Sequence, residues 1–164
     1  VIQILKNKAN KNYQMVWATG PKQYDDMKEE LENSHIHMAR IENVKIMPYI
    51  YNMEEVMNVV DVIVSRSGAM TITEISNLGK PSILIPLPNV SHNHQLYNAQ
   101  VLEKENAKQI ILNDELEGSI LNNAIEEIVT NPKKCEEMGK NAFNVATQNV
   151  EEKIYQEISK LVKK

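Results

Sequence analysis

This chain of 164 residues is poor in several residue types, and each scarcity excludes a class of protein. It has one cysteine, Cys135, so no intramolecular disulfide can form, which favours a reducing compartment. Only two of its 18 basic residues are arginines, Arg40 and Arg66, so a bidentate contact to a phosphate or carboxylate has two candidates. No apolar run approaches the ~20 residues of a membrane-spanning helix. We therefore expect neither a disulfide-stabilised nor a membrane-spanning protein.

The net charge and the glycine content exclude further classes of protein. A formal charge of −4 argues against a nucleic-acid-binding domain, because such a domain neutralises phosphates with a basic surface. The five glycines form no Walker loop, no G-x-G-x-x-G and no G-x-S-x-G. Hydrophobic residues make up 42% of the chain, which is enough for a core at this length. The sequence predicts one soluble domain.

Short apolar runs alternate with amphipathic segments along the chain. We predict strands at 13–19, 43–48, 61–64, 82–85 and 108–112. After a helix end at 1–8, we predict helices at 22–33, 53–58, 69–78, 94–105, 117–130, 132–147 and 150–162. This alternation is typical of βαβ units in a parallel sheet. The predicted fold is α/β, a Rossmann-like parallel sheet of about five strands with helices on both faces.

Ligands of such folds bind beyond the carboxyl ends of the strands, and the loop after Val64 is the most informative there. Ser67 and Gly68 lead into a helix, whose first backbone N–H groups suit a diphosphate. Glu74, roughly 10 Å further along, could accept hydrogen bonds from both hydroxyls of a ribose. Alternatively, Ser67 caps the helix and Glu74 is solvated. Arg66 could pair with a phosphate or form a structural salt bridge.

The loop after Ile85 is rich in hydrogen-bonding side chains, which a polyhydroxylated ligand requires. His94, Gln95 and Asn98 begin the following helix, with His94 and Asn98 on one face. His92 and His94 have no cysteine or carboxylate nearby in sequence, so we expect no metal site.

The loop after Met47 offers backbone amides and apolar surface to a planar base. The favoured alternative is a turn in which Tyr49 and Tyr51 cover the edge of the sheet. Elsewhere, Cys135 precedes two glutamates, which raise a thiol pKa and make it a poor nucleophile.

Three segments together resemble the donor-binding half of the MurG family of bacterial glycosyltransferases. They are the R-S-G-A-x-T-x-x-E block at 66–74, the G-K-P-S run at 79–82 and the H-Q-x-x-N-A block at 94–99. The resemblance extends over the whole chain. It implies the C-terminal half of a GT-B enzyme that transfers N-acetylglucosamine from UDP-N-acetylglucosamine to a lipid-linked muramoyl pentapeptide, converting lipid I to lipid II. It also implies inversion at the anomeric carbon, no metal and no cofactor.

Carried over residue by residue, the resemblance assigns donor contacts and no catalytic residue within this chain. The backbone near Ile50 would contact uracil, Glu74 would hold the ribose, and Gln95 would bind the sugar hydroxyls together with His94 and Asn98. Residues 69–71, Ala69, Met70 and Thr71, would lie against the diphosphate and sugar. The predicted substrate-binding segment also includes Ser67, Gly68, Ile72 and Thr73.

The chain also departs from the family pattern. The first strand with its glycine-rich diphosphate loop is missing, as is the acceptor domain with its candidate catalytic base and membrane-facing patch. We therefore expect residues 1–164 to be a single, N-terminally truncated domain that is inactive alone. The full-length protein would be cytoplasmic and peripheral on the plasma membrane.

One alternative is a non-catalytic nucleotide-sugar-binding subunit that docks on a separate acceptor-binding chain. Another is a UDP-sugar epimerase, which the lack of further acid/base candidates disfavours.

Overall fold

The computed structural model describes residues 1–8, 10, 12–88, 93–103, 105–147 and 149–162. In this described part of the chain, five short strands alternate with helices, as the sequence predicts. The strands are β1 (Met15–Ala18), β2 (Val44–Met47), β3 (Ile63–Ser65), β4 (Ser82–Leu84) and β5 (Lys108–Ile110).

The described residues form eight α-helices besides the strands, and a 3-10 turn spans Met38–Arg40. Their bounds lie within a few residues of the predicted ones. The helices are α1 (Ile2–Lys6), α2 (Tyr24–Asn33), α3 (Met53–Val59), α4 (Ala69–Asn77), α5 (His94–Glu103), α6 (Gly118–Val129), α7 (Pro132–Val145) and α8 (Val150–Val162).

All strand pairs are parallel, which confirms the predicted α/β fold class. Their hydrogen bonds form two ladders, a two-stranded sheet β1-β2 and a three-stranded sheet β3-β4-β5. In the first ladder Met15 lies opposite Val44, and in the second Ile63 lies opposite Ser82, which lies opposite Lys108. The central strand β4 is buried along its whole length.

The three-stranded sheet is covered on both faces because successive side chains of β4 point in opposite directions. Ile83 packs with buried residues of α6 and α7, including Ile128. Leu84 packs on the other face with Ile75 of α4 and Ala99 of α5. This double burial explains why β4 reads as a continuous apolar run instead of an alternating one.

The two-stranded sheet has its own core beneath α1 and α2. Leu31 of α2 is fully buried there, with Leu5 and Val44. Met15 of β1 contacts both this cluster and the one around Ile83, so the two sheets share packing. Within each sheet the strands are parallel, so their carboxyl ends lie at one edge of that sheet.

Two close contacts fix the helices under the sheet. Gln3 of α1 accepts a hydrogen bond of 2.6 Å from the backbone N–H of Gly118, the first residue of α6. The backbone of α7 at Gly139 passes so close to Gly79 that an added Cβ would lie 2.6 Å from the Gly79 carbonyl oxygen. Gly79 itself has φ +61, a conformation that glycine adopts without strain.

The last helix, α8, has no buried residue. Its apolar side chains Ile154, Ile158 and Leu161 recur at helical spacing and are all more than half exposed. Across the described ranges, no helix combines the length and the hydropathy that crossing a bilayer requires.

Candidate ligand-binding site at the carboxyl ends of the strands

Residues 65–68 link β3 to α4 and are called here the α4 turn. Gly68 is the N-cap of α4, with extended backbone (φ −65, ψ 145) and no side chain bonded to the cap. The side chain of Ser67 is fully buried, and its Oγ has no hydrogen-bond partner among the described residues. The alternative in which Ser67 caps the helix is therefore wrong. Among the described residues no side chain caps α4, and the first turn of this helix contains no acidic residue.

Helix α4 presents one face to solvent and one to the core. Glu74 and Met70 lie one helical turn apart on the exposed face, with Met70 73% exposed. Thr73 is exposed as well, but its hydroxyl donates to the carbonyl oxygen of Ala69 at 3.0 Å. Ile72 packs in the core beside Ile75. Of the predicted contact residues along this helix, Ala69, Met70, Thr73 and Glu74 are exposed and Thr71 is half-buried, so a ligand can reach their side chains.

Residues 85–88 follow β4 and are called the β4 loop, and α5 is bonded to this loop and to the α4 turn. The backbone N–H of Leu87 donates to Oε1 of Gln95 at 3.0 Å. Nδ2 of Asn98 donates to the carbonyl oxygen of Ser67 at 3.3 Å. Gln95 and Asn98 are both half-buried, whereas His94 at the start of α5 is exposed. Of the residues predicted in the second loop, Asn98 therefore meets Ser67 of the first.

Arg66 joins the carboxyl ends of three neighbouring strands. Its Nη1 donates to the carbonyl oxygen of Ile85 at 3.1 Å and to Oδ1 of Asn113 at 2.9 Å, with a longer contact of 3.5 Å to the Pro86 carbonyl. These acceptors are neutral, and within the described parts of the chain Arg66 forms no ion pair. The salt-bridge interpretation of Arg66 is wrong, and its positive charge stays unpaired beside the α4 turn.

The loop after β2 does not match the favoured alternative, a turn in which two tyrosines cover the sheet edge. Tyr49 and Tyr51 are 53% and 91% exposed and pack edge to face, with ring centroids 5.1 Å apart. They contact each other instead of covering the sheet edge, so that interpretation is wrong. The side chain of Ile50 is buried, so only its backbone can meet a ligand.

Sequence reasoning missed two participants of the site, the backbone of Leu87 and the side chain of Asn113. Asn113 lies just beyond β5, at the same edge of the sheet as the α4 turn and the β4 loop. The rule that ligands bind at the carboxyl ends of parallel strands could have found it, since Asn113 is the first strongly polar residue after that strand.

The prediction that no metal is bound concerns His92 and His94, of which the structure describes only the second. His92 lies outside the described residues, and His94 is at the start of α5. Among the residues that are described, no three His, Cys, Asp or Glu side chains come together as metal ligands.

A separate open cavity of about 500 Å³ lies at the opposite, amino-terminal edge of β3 and β4. Its lining includes Asp61, Lys80 and Cys135. Burial, and secondarily the Asp61 charge, raises the pKa of the Cys135 thiol. The predicted direction is confirmed, although the cause is burial and Asp61 instead of the neighbouring glutamates. This cavity is remote from the loops that bear the candidate site, and it holds no activated nucleophile.

Comparison with known proteins identifies the chain over nearly its full length. The model of the glycosyltransferase family 28 C-terminal domain matches residues 1–158. A protein of Acetivibrio thermocellus named UDP-N-acetylglucosamine–N-acetylmuramyl-(pentapeptide) pyrophosphoryl-undecaprenol N-acetylglucosamine transferase is 36% identical over 98% of this chain and 42% of its own length. A protein of the same name from Thermoanaerobacter is 39% identical over 98% of this chain and 43% of its length.

Solved structures agree on the fold. MurG of Acinetobacter baumannii superposes with a TM-score of 0.73 at 24% identity, over 88% of this chain and 42% of that one. The glycosyltransferase VinC in complex with dTDP gives 0.68 at 14% identity, over 99% of this chain and 36% of that one. The chain thus spans about two fifths of the length of the curated relatives it matches. The resemblance read from the three sequence segments is confirmed, and the chain belongs to the glycosyltransferase family 28 C-terminal domain family.

Proposed function

We propose that this chain is the donor-binding portion of a transferase that uses UDP-N-acetylglucosamine to convert lipid I to lipid II. The observation that carries the proposal is the closed arrangement of the α4 turn, the β4 loop and α5. Three side chains, Arg66, Gln95 and Asn98, bond these segments to one another at the carboxyl edge of the sheet. The names of the relatives, which match nearly the whole chain, support the choice of donor.

The diphosphate lies at the amino end of α4 in this proposal. Uncapped backbone N–H groups there carry a partial positive charge and donate hydrogen bonds to anionic oxygens. The guanidinium of Arg66 adds a full positive charge nearby, because its partners are neutral. Two of its five N–H donors, those on Nη1, are engaged by Ile85 and Asn113.

The nucleoside occupies the exposed face of α4 and the loop after β2. Glu74 accepts hydrogen bonds from the two ribose hydroxyls, and an ionised carboxylate makes such bonds stronger than a neutral acceptor would. The uracil meets the backbone at Ile50, whose side chain is buried and cannot contact it. The exposed Met70 offers apolar surface next to Glu74.

Gln95 and Asn98 present opposite hydrogen-bonding groups to the sugar. Oε1 of Gln95 is engaged by the Leu87 N–H, so the amide NH2 remains to donate. Nδ2 of Asn98 is engaged by the Ser67 carbonyl, so Oδ1 remains to accept. Sugar hydroxyls both donate and accept, and a donor beside an acceptor fits them.

The rest of the reaction belongs to polypeptide outside this chain in the proposal. The acceptor domain supplies the catalytic base, the lipid-linked acceptor site and the contact with the cytoplasmic face of the membrane. The chemistry is inverting and needs no metal and no cofactor. Binding of the donor to this chain is then independent of divalent cations, which EDTA in the titration buffer tests directly.

Calorimetric titration of the chain with UDP-N-acetylglucosamine and with UDP, both with EDTA present, tests the proposal. We expect binding of both ligands. Glu74→Ala should weaken both by about 10- to 100-fold, because it removes hydrogen bonds to a charged acceptor. Glu137→Ala, at an exposed glutamate of α7, is the matched control and should leave both affinities unchanged. Absence of heat at millimolar ligand, or equal affinities for Glu74→Ala and Glu137→Ala, would refute the assignment.

A further inference from the structure

Asn113 lies just beyond β5 and outside the residues assigned to the donor. Its Oδ1 accepts a hydrogen bond of 2.9 Å from Nη1 of Arg66, a residue 47 positions earlier in the chain. The same nitrogen donates to the carbonyl oxygens of Ile85 and Pro86. One NH2 group thereby joins the ends of β3, β4 and β5.

The hydrogen bonds continue from the β4 loop to the ligand-facing helix. Directly after Pro86, the N–H of Leu87 donates to Oε1 of Gln95. Three residues later on α5, Asn98 donates to the carbonyl of Ser67, which follows Arg66 and closes the ring. A guanidinium is planar and its N–H donors have fixed directions. Loss of one acceptor therefore changes the orientation of the group and its hydrogen bonds to the remaining acceptors.

We propose that Asn113 is a positioning residue of the donor site. It fixes the orientation of Arg66, which holds the carbonyls of the β4 loop, and the loop in turn holds the Gln95 amide so that its NH2 faces the sugar. Asn113 acts through Arg66 and does not touch the ligand. The inference rests on the proposed function, because it assigns the sugar of a nucleotide sugar to the Gln95 side of the site.

Paired titrations with UDP-N-acetylglucosamine and UDP separate positioning from a general loss of structure. Asn113→Ala should weaken UDP-N-acetylglucosamine binding about tenfold and UDP binding less than about twofold, since UDP lacks the sugar. Asn113→Asp keeps the acceptor oxygen and should restore the ratio of the two affinities. Asn123→Ala, at an exposed asparagine of α6, should leave the ratio unchanged. An unchanged ratio in Asn113→Ala, or an equal loss for both ligands, overturns the proposal.

Amide hydrogen exchange of the unliganded chain provides a second readout. Asn113→Ala should speed exchange at Leu87 about tenfold, because its acceptor Gln95 is held less firmly, while Asn123→Ala should not. Equal exchange in the two variants overturns the positioning role even if binding is altered. If the wild-type chain binds neither ligand, the proposed function fails, and the exchange comparison still decides whether Asn113 holds the β4 loop.

Discussion

Lys108 is the residue whose environment conflicts most with its chemistry. It begins β5, is 5% exposed, and its Nζ has no hydrogen-bond partner among the described residues. Burial disfavours the ammonium and lowers the pKa of Lys108 to about 7, while the charge of Glu103 acts in the opposite direction. An ordinary lysine has a pKa near 10.5. Between pH 7 and pH 10.5, Lys108 therefore loses its proton when the chain folds.

Replacing Lys108 with methionine should therefore stabilise the protein in a pH-dependent way. Below pH 7 the native state carries the full penalty of a buried charge, and the penalty fades as pH rises toward 10.5, where the unfolded lysine also loses its proton. Lys108→Met should raise Tm at pH 6.5 by at least about 2–4 °C, corresponding to roughly 1 kcal/mol, and by less at pH 10. Lys133→Met, at an exposed lysine of α7, should show no such trend in thermal unfolding. Parallel Tm curves for Lys108→Met and wild type would contradict the pKa argument.

Some residues of the candidate site could be predicted from the sequence, and others could not. Glu74 and Gln95 could be found from their spacing after strands, because helical periodicity determines which side chains face outward. The hydrogen bonds of Arg66 to Ile85 and Asn113 could not be found from helical spacing, since these neutral partners lie 19 and 47 positions away. The burial of Ser67 was likewise unpredictable, because it depends on elements packed over the α4 turn and not on the turn itself.

At the level of elements, all five strands and the helices of the described residues were predicted from apolar periodicity. The pattern also predicted parallel pairing, because β4 lacks alternation and must be covered on both faces. The approach of α7 to the turn after α4 was not predictable. It depends on Gly79 and Gly139, which are 60 positions apart in the sequence and meet only in the fold.

The packing of α7 can be tested by adding one methyl group. Gly139→Ala gains up to about 1 kcal/mol of helix propensity, but its Cβ would lie 2.6 Å from the Gly79 carbonyl oxygen, a backbone atom that cannot move alone. Overpacking costs about 1–3 kcal/mol, so we expect net destabilisation by roughly 1–2 kcal/mol in urea unfolding. Glu137→Ala, on the exposed side of the same helix, should change stability by less than about 0.5 kcal/mol. A more stable Gly139→Ala would mean that the helices adjust without strain.

For the whole molecule, the division of the sheet into two ladders was the feature that the sequence did not predict. Periodicity reports which face of a strand is buried but carries no information on strand order. The three-stranded sheet contains the fully buried strand β4, whereas in the two-stranded sheet Val16 of β1 is 42% exposed. The candidate site lies mainly on the three-stranded sheet, and only Ile50 follows a strand of the other one. The two parts of the sheet should therefore differ in stability.

Trp17, the single tryptophan of the chain, lies in β1 and packs against the core of the two-stranded sheet. In urea, its fluorescence should change at a lower midpoint than the far-UV circular dichroism of the helices, because this sheet has one ladder and a smaller core. Leu31→Ala, in the core of that sheet, should lower mainly the fluorescence midpoint. Ile128→Ala, beneath the three-stranded sheet, should lower mainly the dichroism midpoint. If both signals keep one common midpoint in wild type and in both variants, the two sheets unfold as one cooperative unit and their separate ladders carry no difference in stability.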